Sequence, residues 1–150
     1  MYSQDLLKVM GTRLATEFLK ERTCNEERLW KSVIATALED CLNLSGTKNE
    51  TYRKQDAHKW FIDGGGDFQN VCYMAGLDPL LVRNRYLTLY EEQVIIFTPV
   101  QKEWGKYRES YKVYRGDTTK EQRALIRKNI ERIKCRIIKF KPKKKNVRQR

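Results

Sequence analysis

Apolar residues recur at three- and four-residue spacing along most of the chain, which is the period of helices lying against a core. Leu6, Leu7, Met10, Leu14 and Phe18 predict a first helix over about 3–21. Leu29-Trp30, Val33-Ile34, Ala37-Leu38 and Cys41-Leu42 repeat every four residues and predict a second, with an unusually wide apolar stripe. Thr23 and Glu26 have the spacing of a capping box at its start, and Ser45-Gly46 marks its end. A third helix is expected over about 50–62, with Tyr52, Ala57, Trp60 and Phe61 inward, broken by Gly64-Gly65-Gly66. Two short helices follow over about 67–75 and 78–89, capped by Asp67 and Asp78, the second with Pro79 at its first position. Val94-Ile95-Ile96-Phe97 fits either a short strand or a helix tail.

The last two helices have narrower seams. Thr98-Pro99 opens one, along which Val100, Trp104, Tyr107, Tyr111 and Tyr114 fall on one line. After Gly116-Asp117, the segment Thr118-Thr119-Lys120-Glu121 caps the other, whose line is Ile126, Ile130, Ile133, Ile137 and Phe140. Both lines step four, three, four, three, as paired helices do. They predict an antiparallel hairpin, or a seam with a second copy. The expected fold is therefore all-α: a helical bundle with a trihelical, helix-turn-helix-like core and a C-terminal basic hairpin. Its parts are a helical domain over 1–97 with the helix-turn-helix-like unit at 50–90, the hairpin over 98–140, and a disordered basic tail over 141–150.

Charge changes this picture from packing to partners. The chain carries +12 overall, but residues 1–100 net −2 and residues 101–150 net +14. A near-neutral body with a basic last third is the asymmetry of a protein that meets nucleic acid or another anionic surface. Lys120, Arg123, Arg127, Lys128, Arg132, Lys134, Arg136 and Lys139 surround the last helix, and Lys143, Lys144 and Lys145 extend it. That helix has a narrow apolar line better satisfied by the aromatic line before it than by lipid, so no membrane partner is expected. The aromatic line is read as a packing seam in preference to a platform for single-stranded bases.

The sharpest local pattern runs from Asp67 to Tyr86. Cys72 supplies a small inward residue, Gly76 a turn position tolerant of positive φ, and Val82 an inward aliphatic six residues later. Val71, Ala75 and Leu77 complete a buried set, and the helix carrying Trp60 is the third member of the core. On the second helix of this unit Arg83, Asn84 and Arg85 are the candidates for base contact, whereas Leu80 and Leu81 are poor readers of base edges.

Catalytic and metal chemistry find little purchase. Cys24, Cys41, Cys72 and Cys135 form no closely spaced pair, His58 is the only histidine, and no metal or cofactor is expected. Three of the four thiols fall on apolar helix faces and are expected to be buried. The glycine triplet lacks both phosphate-loop patterns. Glu39-Asp40 and Glu91-Glu92 are adjacent pairs that point to different helix faces. The expectation is a non-enzymatic, cytoplasmic protein: no apolar run approaches the ~20 residues of a membrane span, and the first residues lack a signal-peptide pattern.

Leu29-Trp30, Val33-Ile34, Ala37-Leu38 and Asp40, followed by Trp60, Asp67-Phe68, Val71-Cys72, Ala75-Gly76-Leu77-Asp78-Pro79 and Val82-Arg83, resemble small helix-turn-helix-like proteins of alphaproteobacterial phages and prophages. The resemblance covers about the middle third of the chain and implies a phage or mobile-element setting. Taken with the charge, the expected function is DNA binding in transcriptional control. Alternatives are a protein-interaction module docking on RNA polymerase through Leu80 and Leu81, a small terminase-like DNA-packaging subunit, and an RNA-binding protein. A homo-oligomer would form through the C-terminal helices.

Overall fold

The computed structural model describes residues 2–21 and 23–140. The expected basic tail, with Lys143, Lys144 and Lys145, lies outside these residues. Among the described residues there are seven α-helices and no strand: α1 (Gln4–Phe18), α2 (Asn25–Leu42), α3 (Lys48–Asp63), α4 (Gly66–Met74), α5 (Pro79–Glu91), α6 (Pro99–Arg115) and α7 (Lys120–Phe140). The chain is all-α. It divides into two compact units, one of residues 1–45 and 49–96, the other of 46–48 and 97 onward. No described helix is long and apolar enough to cross a membrane.

In the first unit, α1 packs on α2 and α5, and α4 packs on α2 and α5. Leu6, Met10, Leu14 and Phe18 of α1 meet Ile34, Ala35 and Leu38 of α2 in one buried cluster with Phe61, Phe68, Val82 and Tyr86. The Phe61 and Tyr86 rings stack with centroids 4.3 Å apart, joining α3 to α5, and Phe68 meets Phe61 edge-on at 5.9 Å. Val71, Cys72, Ala75, Leu77 and Val82 are all buried, as the pattern requires.

The turn between α4 and α5 is a Schellman closure. Gly76 takes φ 70°, its N–H donates to Tyr73 O at 3.0 Å, and the Leu77 N–H donates to Cys72 O at 2.9 Å. Asp78 then caps α5, its Oδ1 accepting from the Leu80 N–H at 3.0 Å. The same closure ends α5. Gln93 takes φ 60°, and the Val94 N–H reaches Leu89 O at 3.0 Å. That motif settles Val94–Phe97 as neither strand nor helix tail: Ile95 turns in as a buried plug while Val94 and Ile96 stay exposed.

Three local expectations are corrected. Thr23 does not cap α2; Cys24 holds that position without a side-chain bond, and the Thr23 hydroxyl accepts from Arg28 Nε instead. Asp67 does not cap α4 either. Gly65 is the cap residue, and Asp67 accepts from Trp60 Nε1 at 2.8 Å. Of the four thiols only Cys41 and Cys72 are buried, while Cys24 and Cys135 are exposed.

In the second unit α6 and α7 pair antiparallel. Arg136 Nε donates to Glu103 Oε2 at 3.0 Å, Asn129 Nδ2 to Ser110 Oγ at 3.4 Å, and Arg127 Nη2 to the Tyr114 hydroxyl at 2.8 Å. Both helices open with reciprocal caps, Thr98 with Gln101 and Thr119 with Gln122. Ile130, Ile133 and Ile137 are buried in the seam, Ile126 is half-buried, and Phe140, expected on the same line, stands exposed at the end of α7.

Candidate nucleic-acid interface

The cations proposed from the sequence fall into three environments. Arg83 and Arg85 are half-buried and turned into the protein. Arg83 Nε and Nη2 both donate to Ile62 O, at 3.2 and 2.9 Å. Ile62 lies in the last turn of α3, where carbonyls have no partner within the helix, so the guanidinium caps that end. Arg85 does the same for α1. Gly11 leaves helical geometry inside α1 (φ 78°, ψ 168°), and a non-helical residue there breaks the ladder that Val9 O would otherwise join. Arg85 Nε and Nη2 reach Val9 O at 3.0 and 2.9 Å. Of the three proposed base readers only Asn84 is exposed. Tyr86, 1% exposed, turns into the core directly after them.

A second group is engaged along the hairpin, with Arg123, Arg127 and Arg136 exposed and Lys134 half-buried. Arg123 Nε donates to the Thr118 hydroxyl at 3.0 Å, and Lys134 pairs with Glu131 at 3.3 Å. Arg127 holds the Tyr114 hydroxyl and lies 5.8 Å from the centre of that ring. Arg136 is held by Glu103, which is 9% exposed and also meets Lys106 Nζ at 3.3 Å. Burial pushes the Glu103 carboxyl up, but the bonds from Arg136 and Lys106 outweigh it and hold the group below its ordinary range.

The third group is Lys120, Lys128, Arg132 and Lys139, all exposed and with no carboxylate in reach among the described residues. At about 100° per residue, Lys128, Arg132 and Lys139 fall within about 40° of arc on the side of α7 opposite Ile130, Ile133 and Ile137. They span about 16 Å of axis. The seam that buries the isoleucines thus points this stripe outward.

The aromatic line of α6 is a ladder of ring contacts, Trp104 on Tyr107 at 5.3 Å, Tyr107 on Tyr111 at 4.9 Å and Tyr111 on Tyr114 at 6.2 Å. All four rings are half-buried, and Trp104 Nε1 donates to Gly46 O at 3.0 Å. The rings contact one another along the line, and Trp104 Nε1 and the Tyr114 hydroxyl are hydrogen-bonded within the unit, as a packing seam requires.

Elsewhere the first unit holds a polar chain that runs from the half-buried His58 into the core. His58 Nδ1 and the Tyr86 hydroxyl are 2.6 Å apart, and that hydroxyl lies 3.4 Å from Cys41 Sγ. Burial, helped by the Lys54 charge, pushes the His58 ring below its ordinary value, and burial raises the Cys41 thiol to about 11. The fully buried Lys54 ammonium donates to Asn43 O at 2.8 Å and to Ile96 O, tying the end of α2 to the strap after α5. Tyr86, Cys41 and Lys54 are fully buried, and His58 is half-buried at the edge of the group. No cluster of His, Cys, Asp or Glu among the described residues could hold a metal ion.

The inward turn of Arg83 and Arg85 was not legible from charge and spacing. One signal was available for Arg85: a glycine inside an otherwise periodic helix marks a site where the backbone breaks and needs an outside donor. No protein-family model, curated protein or solved structure matches the chain.

Proposed function

We propose that this protein binds duplex DNA through the outward face of α7, with the α3–α5 unit serving as a scaffold in place of a base reader. The observation that carries this reading is the unpaired stripe of Lys128, Arg132 and Lys139. Each strand of a duplex presents a phosphate about every 3.4 Å of axis, so a cationic helix face of that length meets several. Such contacts release counterions and give affinity without sequence preference. The basic segment beyond Phe140 adds to the same charge. The phage or mobile-element setting suggested by the resemblance makes a transcriptional regulator the working assignment. A protein-docking role on the transcription machinery is favoured by one feature, Leu80 standing 65% exposed beside the turn.

The test is a titration of random duplex DNA at several salt concentrations, using the full chain and a Lys128→Gln/Arg132→Gln/Lys139→Gln variant. Loss of three phosphate contacts should flatten the slope of log K against log salt by roughly 2 to 3, at about 0.9 per contact. An unchanged slope in the variant removes α7 from the interface. Absence of binding by the full chain at low salt removes the DNA reading.

A further inference from the structure

Helix α2 has two apolar faces, and the core covers one. Ile34, Ala35, Leu38 and Cys41 are buried, while Leu29 and Val33 stand 62% and 40% exposed. Leu29, Val33 and Ala37 line an open trough of about 620 Å³, together with Ala57 and Trp60 of α3 and Val71 of α4. Its rim carries Asp40, Asp56 and Asp67 against one cation, Arg53. Asp67 fixes the Trp60 ring from the side through the bond to Nε1.

We propose that this trough docks an amphipathic helix of a partner protein whose apolar face is bordered by Lys or Arg. Leu29 to Ala37 covers about 12 Å of axis, the length over which a helix presents anchors at i, i+4 and i+7. Contiguous exposed apolar side chains rimmed by polar ones are the usual mark of a docking surface. The occupant's charge follows from the rim, which nets −2 on a chain that nets +12. Two copies meeting trough to trough would oppose like-charged rims, which disfavours self-association here. The trough is also open along its length, unlike the enclosed sites that bury most of a small ligand. This surface lies in the first unit and does not depend on the DNA reading.

The probe is a fluorescent synthetic two-heptad helix of leucine and lysine, with a leucine–glutamate twin, followed by anisotropy on the full chain without nucleic acid. The net charge of the protein alone would favour the glutamate peptide, so the proposal opposes the bulk expectation. The lysine peptide should bind, and Val33→Glu and Asp40→Lys should each weaken it at least about tenfold, the scale of a buried unpaired charge or a reversed rim charge. Leu29→Glu, at a still more exposed site, repeats the test should Val33→Glu melt early. No binding of the lysine peptide overturns the proposal. So does binding that survives Asp40→Lys and either glutamate substitution.

Discussion

Arg85 separates the two roles a cation can have here, and its replacement by alanine tests the division of labour directly. The guanidinium gives two bonds, of 3.0 and 2.9 Å, to a single carbonyl freed by the break at Gly11. A hydrogen bond involving a charged group contributes about 1.5–3 kcal/mol. Both bonds end on one acceptor and the side chain is half-buried, so water partly replaces them and the lower half of that range applies. A loss of about 2 kcal/mol should lower the melting temperature by roughly 4–8 °C for a chain of this length. The assay pairs urea and thermal unfolding with a DNA titration at a temperature where the variant is fully folded. Arg85→Ala should be less stable and bind random duplex with unchanged affinity and salt slope. A variant as stable as the parent but weaker on DNA would refute the capping role and return Arg85 to the interface.

Three further outcomes follow from the same geometry. Gly64 takes φ 55° and an added Cβ would sit 2.8 Å from Arg83 Cδ, whereas one at Gly66 meets nothing within 4 Å; Gly64→Ala should therefore lose about 1–2 kcal/mol in urea unfolding, and Gly66→Ala should lose nothing. Maleimide labelling read by mass spectrometry should modify Cys24 and Cys135 quickly in the folded protein, with Cys41 and Cys72, pushed to about 11 and about 12 by burial, reacting only on unfolding. Fast labelling of all four would contradict the packing. The folded state holds His58 below its ordinary value of 6.5, so as pH falls through that value the unfolded chain takes up the proton first and stability declines; His58→Gln should remove that component from a pH series of urea midpoints, and an unchanged slope would refute it.

The apolar period alone determined that this chain is helical and roughly where each helix lies. It also located the two seams of the hairpin and the buried set around Cys72 and Val82, because such positions obey local geometry. The turn at Gly76 was equally legible, since a left-handed residue four positions after an inward Cys72 closes a helix in a recognisable way. Charge segregation was visible too, being a property of composition. Tertiary structure decided the rest. Arg83 and Arg85 resemble readers of DNA until the ends of α3 and the break in α1 appear as acceptors, the latter 76 residues away in the chain. Thr23 and Asp67 had cap spacing, but other partners claimed their oxygens. The wide stripe of α2 gave no sign of which half the core would cover, because periodicity records that a face is apolar and not what lies against it. The cations of α7 were countable from the sequence, but Glu103 and Glu131 had to be placed before Lys128, Arg132 and Lys139 stood apart from those already paired.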